Sequence, residues 1–314
     1  MTGVSTEDLS FGYNDNELIL DGVSISIEGP QLISIIGPNG VGKSTLIHCI
    51  NRILSPIKGT VMIDGADVHD YKPKELAKKI GYVPYTSGDS FPMTVIDTVL
   101  MGRNPHHKWK SLHDDLVVVE EAMRMMDISD LAMRSFNELS AGQHQRVMLA
   151  RGIAQEPEVL LLDEPTANLD IRHQMDVIRL LKHLSDTKGI IVIMISHDLN
   201  LASKYSDNVI MLFDKGVYAV GTPEEVITSD NILHVYGVQS HIEMHEGRPF
   251  MVVEDPLFTP RPSNGVCDAP EGRTDGRPIR HRKAGGRLQQ VHFTQGPSDG
   301  AADRRHRGHD GHHP

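Results

Sequence analysis

The sequence predicts an α/β domain built on a mainly parallel sheet, and three observations carry that prediction. Through the first 260 residues, apolar runs of strand length alternate with segments of helical period. One run, LISIIG (Leu32 to Gly37), stops at a glycine-rich loop that leads into the helix-like STLIHCINRI. Another, VLLL (Val159 to Leu162), delivers Asp163 and Glu164 at its carboxyl end, the edge at which parallel α/β sheets bind ligands.

Composition agrees with a full core. Of 314 residues, 39 % are hydrophobic and 23 % charged, which excludes collagen, coiled-coil and disulfide-scaffold chains. No apolar run approaches the roughly 18 to 20 residues that span a bilayer, and the longest, GIIVIMIS around Ile193, is strand-length. The N-terminal MTGVSTEDLSFGY has acids and none of the basic or apolar regions of a secretion signal. Two cysteines, Cys49 and Cys267, are too few for a disulfide framework or a cysteine-built metal site, so a reducing cytoplasm is expected.

The net charge of −11 is unevenly spread. Residues 261–314 hold ten Lys and Arg against six Asp and Glu, a net of +4, which leaves −15 on the first 260 residues. So acidic a body argues against nucleic acid as a partner. The tail has fourteen Gly and Pro but five residues among Val, Ile, Leu and Phe, too little apolar surface to offset the entropy of ordering. An ordered domain over residues 1–257 and a disordered tail over 258–314 are therefore expected. The tail's six histidines, His306, His309, His312 and His313 among them, show no ligand spacing, and the abrupt change of composition suits a shifted reading frame.

Within the body, the run Gly37, Pro38, Asn39, Gly40, Val41, Gly42, Lys43, Ser44 and Thr45 fits G-x-x-x-x-G-K-[ST]. Phosphates need converging backbone N–H groups, which glycines let approach; Lys43 meets the β and γ charges, and Ser44 reaches Mg²⁺. A strand before the loop and a helix after it give the required context. Cys49, on that helix, reads as a small buried hydrophobe. The polar loop with His106, His107 and Trp109 reads as surface. Val117 to Met126 has helical spacing, with Met123, Met125 and Met126 as core fillers. Ser140 is a good N-cap for a helix in which Val147, Ala150 and Ile153 or Ala154 recur, and its positive end lies at SAGQ. Asp163 and Glu164 supply the acids that phosphoryl transfer needs near a metal and near the attacking water. The strand IIVIMI then leads to His197.

Taken together, the phosphate loop, LSAGQ (Leu139 to Gln143), the VLLLDE strand end, ANLD (Ala167 to Asp170) and SHD (Ser196 to Asp198) resemble, in order and spacing, the motif set of ABC-type ATPases over about Met1 to Asp255. FPMTVIDTVLMGRNPHHKW, HDLNLASKYSD and GTPEEVIT followed by VYGV further resemble the ATPase subunits of importers for iron-siderophore, haem and cobalamin-type chelates. The resemblance implies a P-loop NTPase core, an N-terminal antiparallel β subdomain and a helical subdomain inserted at about 86–157 that meets a membrane partner.

It also implies roles. Tyr13 would stack on adenine, Gly37 to Thr45 would cradle the triphosphate of ATP, and Ser44 and Asp163 would hold Mg²⁺. Glu164 would activate the attacking water, and His197 would contact the γ-phosphate and hold Glu164. Ser140, Gly142, Gln143 and Asp170 would act across a head-to-tail dimer, on nucleotide held by a second copy. ATP would close that dimer and hydrolysis would reopen it. Permease subunits are implied as direct partners and a solute-binding protein as an indirect one, with the chain peripheral on the cytoplasmic membrane face.

Two departures stand out. Ala141 replaces the more usual glycine of the signature and adds one methyl. Tyr85 stands in GYVPYT where the family usually has a metal-contacting glutamine, and one phenol oxygen does not reproduce a two-ended amide. Tyr85 is thus either a metal contact through water or the mark of a weakly hydrolysing nucleotide binder. A soluble ABC ATPase of the iron-sulfur-assembly kind is the competing class.

Overall fold

The computed structural model of the chain describes residues 2–14, 17–85, 93–106 and 112–254, and the backbone of 292–293. The chain begins with β1 (Gly3–Phe11), β2 (Leu20–Glu28) and β3 (Gln31–Ile36), and the glycine-rich loop then leads into α1 (Lys43–Ile50). Next come β4 (Lys58–Ile63), β5 (Ala66–Asp67), α2 (Pro73–Lys79) and β6 (Ile80–Val83). Three helices follow, α3 (Val95–Leu100), α4 (Leu112–Met125) and α5 (Ala141–Ala154), inserted between β6 and β7 (Val159–Leu162). The chain continues through α6 (Ile171–Lys188), β8 (Ile191–Ile195), α7 (Leu199–Tyr205), β9 (Asn208–Phe213) and β10 (Gly216–Gly221). After α8 (Pro223–Val226) and α9 (Ser229–Tyr236), the hairpin β11 (Ser240–His245) and β12 (Arg248–Val253) follows.

The central sheet has the order β10-β9-β3-β8-β7-β6. Every pair from β9 to β6 is parallel, and β10 joins β9 antiparallel. All residues of β3, β7 and β8 are buried, as continuous apolar runs demand when both faces of a parallel sheet are covered. In the second sheet β2, β1, β4 and β5 are antiparallel neighbours. These sheets are the mainly parallel core and the antiparallel N-terminal subdomain that the sequence led us to expect.

Strand alternation decides what each face packs against. Ile33 and Ile35 of β3, with Leu161 and Ile193, face α1 (Leu46, Ile47, Ile50), whose far side meets Leu9, Val23 and Val61 of the N-terminal sheet. Leu32, Leu160, Leu162, Val192 and Met194 face the other way, onto Met123 of α4, Val147 and Ala150 of α5, and Ile178 and Leu181 of α6. Burying each such side chain is worth about 1.5–3 kcal/mol. The strands that end at the site are thus clamped from both faces. A third cluster sets Ile36, Val209 and Met211 against Leu199, Val226, Ile232 and Val235.

Several local expectations change. The helix expected over STLIHCINRI stops at Ile50, because Arg52 adopts a left-handed φ of 55° and donates to the carbonyls of Val68 and Tyr71. Met123 and Met126 are core, but Met125 is only half-buried and lines a cleft between α4 and α6. His106 is half-buried rather than on the surface, since its Nε2 donates to the Gln155 carbonyl at 2.8 Å. Within the segment expected to be disordered, His292–Phe293 forms a short strand, β13, parallel to Ser26–Ile27 of β2. His107, Trp109, Cys267, the start of the inserted segment at 86–92 and the tail's other histidines lie outside the described residues.

Candidate active site

Three adjacent strands, β3, β8 and β7, each end in a residue group suited to phosphate chemistry. After β3, the loop turns through Gly37 (φ 146°), Gly40 (φ 82°) and Gly42 (φ 100°), backbone conformations that L side chains avoid. A Cβ on Gly37 would also collide with the Leu212 carbonyl oxygen, so glycine is required there twice over. Gly42 caps α1 without a side-chain hydrogen bond. The N-terminus of α1 therefore keeps its backbone donors and dipole for an anion.

Lys43 folds back on this loop, with Nζ donating to the carbonyls of Gly37 at 2.9 Å and Pro38 at 2.8 Å. Burial lowers its pKa, opposed by the charges of Glu164 and Asp163. A buried ammonium whose hydrogen bonds go to neutral carbonyls can exchange them for an anion. Beside it, Ser44 Oγ donates to Asp163 Oδ1 at 3.2 Å. Asp163 is locked by its own N–H on the Val83 carbonyl at 2.9 Å. Burial raises its pKa above the ordinary carboxylate value, and Glu164 adds to that, against the Ser44 hydrogen bond and the charges of His48 and Lys43.

Such a pair of hard oxygens fits Mg²⁺, which takes one or two protein ligands and completes its shell with substrate phosphates and water. Among the described residues no group of three His, Cys, Asp or Glu could hold a metal ion.

Glu164 is itself strained: its φ of 51° is rare for a residue with a side chain, and its carbonyl is held by the Ala167 N–H at 3.1 Å. The bend carries the carboxylate to the end of β8, where His197 Nε2 donates to Glu164 Oε1 at 2.6 Å. Behind Asp163 lies a contact that motif reading did not single out. His48 Nε2 of α1 and Tyr82 Oη of β6 are 2.9 Å apart, and burial with the Asp163 charge pushes the Tyr82 phenol up to about 12.

The remaining sequence candidates lie on other elements. Tyr13 is 65 % exposed and braced edge-on by Phe11 at 5.1 Å, which leaves a face free to stack. Ser140 caps α5 in a capping box, with Oγ accepting the Gln143 N–H at 3.3 Å and Gln143 Oε1 accepting the Ser140 N–H at 3.0 Å. Gly142 lies beside Leu169. Among the described residues no hydrogen bond joins Ser140, Gly142 or Gln143 to Gly37–Thr45. Asp170 is exposed, caps α6 and holds His173 Nδ1 at 2.8 Å, and these hydrogen bonds lower its pKa. Tyr85 follows β6 and is 46 % exposed.

Comparison with known proteins agrees with this geometry. Residues 20–167 match the family model described as ABC transporter. The chain is 43 % identical to an uncharacterized ABC transporter ATP-binding protein of Methanocaldococcus jannaschii, over 79 % of this chain and 97 % of that one. It is 37 % identical to a probable siderophore transport system ATP-binding protein of Bacillus subtilis, over 82 % and 90 % of the two chains. Among solved structures, a transporter described as of the metal-chelate type, in an inward-facing conformation, superposes with a TM-score of 0.69 at 28 % identity, over 82 % of this chain and 99 % of that one. A dimeric ATP-binding cassette bound to ADP and Pi superposes with a TM-score of 0.64 at 30 % identity, over 70 % and 98 %. The phosphate loop, the two acids and the histidine at the carboxyl edge of this sheet therefore belong to an ATP-hydrolysing member of the ABC transporter family.

Proposed function

We propose that the chain is the nucleotide-hydrolysing subunit of an importer for metal chelates of the siderophore, haem or cobalamin kind. It works as a pair bound to permease subunits at the cytoplasmic face of a membrane, and a solute-binding protein supplies the cargo. The chemistry rests on one observation above all: Lys43, Ser44, Asp163, Glu164 and His197 converge from adjacent strand ends, with the Glu164–His197 pair at 2.6 Å. The importer assignment is supported by the name of the Bacillus subtilis relative and by the metal-chelate type transporter that shares the fold. Among the described residues no helix is long and apolar enough to cross a membrane, in keeping with separate permease subunits.

In this reading the N–H groups of the loop from Asn39 to Thr45 bind the phosphates, and Lys43 exchanges its two carbonyl partners for the β and γ oxygens. Mg²⁺, held by Ser44 with Asp163 beside it, would screen the charge that builds on the phosphates. Glu164 takes a proton from the attacking water, and His197 keeps that carboxylate aimed. Tyr13 stacks on adenine. Ser140, Gly142, Gln143 and Asp170 of a second copy complete the site, so the closed pair binds ATP better than the open one and hydrolysis releases it. The dimeric cassette with ADP and Pi supports such a pair.

A groove beside the site lies between α1, α2, β6 and α5, lined by Arg52, Leu76, Tyr82, Arg151 and Gln155, and Arg151 is half-sunk in it with its pKa lowered by burial.

Steady-state hydrolysis of MgATP by the full chain tests this function. Activity that Lys43→Ala abolishes is expected; equal activity in the two proteins would remove the assignment. One observation favours a second reading. Tyr85 is exposed and offers a single oxygen, which suits an enzyme that hydrolyses weakly until its membrane partner is bound.

A further inference from the structure

The hairpin of β11 and β12 stands outside both large sheets, yet it is tied to the helix that follows His197. α7 meets β12 through two side chains one helical turn apart. Asn200 Nδ2 donates to the Met251 carbonyl at 3.2 Å, and Asn200 Oδ1 accepts the Met251 N–H at 2.7 Å. Ser203 Oγ donates to the Pro249 carbonyl. Pro249 and Met251 are alternate residues of β12, so both turn their carbonyls toward α7 and away from β11. The Asn200 amide thus does for Met251 what a neighbouring strand would do, supplying a donor and an acceptor to one residue. Ile242 and Met251 also pack on the cluster that holds Ile36 and Leu199.

Only Ser196, His197 and Asp198 separate β8 from α7, so these two elements fix where His197 stands. On the β8 side, the Ser196 N–H donates to the Ile35 carbonyl at 3.1 Å. On the α7 side, Asp198 Oδ1 accepts the N–H groups of Asn200 and Leu201, each at 2.9 Å, and the Asp198 carbonyl accepts from Ser196 Oγ at 3.0 Å. Asn200 is therefore shared: its backbone bonds to the Asp198 cap, and its side chain is pinned to β12. α7 has seven residues, too few to hold their shape without tertiary contacts. The His197 side chain is 43 % exposed, so its reach to Glu164 at 2.6 Å depends on where its backbone is held.

We propose that Asn200 is a positioning residue for hydrolysis: by pairing with both backbone groups of Met251 it holds the first turn of α7 to the hairpin, and through Asp198 it fixes the loop from which His197 reaches Glu164. The inference rests on the reading of His197 as the group that aims the Glu164 carboxylate. Misplacing such a group by 1 Å costs about 10² in rate, so a tie one turn away acts on the chemical step. Ser203 binds the same strand from the far end of the helix, so its loss loosens the hairpin without moving the Asp198 cap. Neither residue belongs to the loop Gly37–Thr45, and ADP affinity is left alone.

The test compares full-length wild type, Asn200→Ala, Ser203→Ala, His197→Ala and the double variant Asn200→Ala, His197→Ala. It measures kcat at saturating MgATP, Kd for ADP, and Tm. Asn200→Ala is expected to lower kcat by about three- to thirtyfold, short of the full cost of misplacement, with Kd for ADP within about twofold of wild type. Ser203→Ala is expected to lower Tm as Asn200→Ala does and to keep kcat within about twofold. On the His197→Ala background, Asn200→Ala is expected to cost less than about twofold, because the group it positions is gone. Should Asn200→Ala not fold, Asn200→Asp, which keeps the acceptor for the Met251 N–H, takes its place in every comparison. Unchanged kcat in the Asn200 variant overturns the inference, as does an equal loss in Ser203→Ala or a loss that persists in full on the His197→Ala background. If His197→Ala itself leaves kcat unchanged, the reading of His197 and this inference fall together; if it lowers kcat and the Asn200 variant does not, the inference alone fails.

Discussion

Glu164 and His197 meet at 2.6 Å, and the account makes His197 act mainly through Glu164. Glu164→Gln keeps the shape of the side chain and removes its basicity. A positioned general base contributes roughly 10²–10⁴ in rate, so a fall in kcat of about 10²–10³ is expected while nucleotide still binds. His197→Ala should lose about 10² by leaving the strained carboxylate unaimed. Stability barely enters. The two side chains are 43 % and 31 % exposed, so their pairing is worth at most about 1 kcal/mol, or a few degrees of Tm in a domain of this size. The assay is phosphate release at saturating MgATP for both singles and for the double variant. If the two act as a unit, the double variant is no more than about tenfold worse than the poorer single. Losses that multiply, giving about 10⁴–10⁵ together, would show that the residues act independently and refute the dyad.

Asp163 gives a stability prediction of opposite sign to its functional one. Its folded pKa is raised, so the stability gained by protonation is present below the unfolded carboxylate pKa and is lost as pH rises through the folded value. At pH 7 the ionised group therefore costs stability; Asp163→Asn should raise the Tm of the nucleotide-free protein, by about 0.5–2 kcal/mol of stability, lose that gain near pH 4, and abolish Mg²⁺-dependent hydrolysis. Tyr85→Gln should lower the free Mg²⁺ that half-saturates hydrolysis by about threefold, read from a Mg²⁺ titration at fixed ATP; no change would mean that Tyr85 does not face the metal. Cys49 is buried, with its thiol pushed up to about 11, so iodoacetamide at pH 8 should leave it unmodified in the native protein and alkylate it in denaturant, as mass spectrometry of the peptide would show.

Legibility in the sequence followed the range of the interactions. The phosphate loop was readable because its glycines, lysine and serine act within nine consecutive residues, and the flanking runs LISIIG and VLLL are buried on both faces and so apolar throughout. Ser140 was readable as a cap because the box closes within one turn. Helix ends were harder. STLIHCINRI keeps an apolar pattern past Ile50, and only the left-handed Arg52, whose guanidinium reaches Val68 and Tyr71, shows where the helix stops. His106 lies in a polar stretch that says nothing of the Gln155 carbonyl it meets across the helical insertion. The His48–Tyr82 pair joins segments remote in the chain, so no local period or spacing announces it. The strain at Glu164 was also hidden, since the residue type gives no sign of a positive φ.

The central claim is that Ser140, Gly142 and Gln143, which among the described residues make no hydrogen bond to the phosphate loop of their own chain, serve the nucleotide of a second copy. Sedimentation velocity of the full-length Glu164→Gln protein tests it most directly, with saturating MgATP and without nucleotide, beside the double variant Glu164→Gln, Ser140→Arg. The account predicts a dimer for the single variant in MgATP alone, a monomer without nucleotide, and a monomer throughout when Ser140 is replaced. A Glu164→Gln protein that binds MgATP and stays monomeric would contradict it.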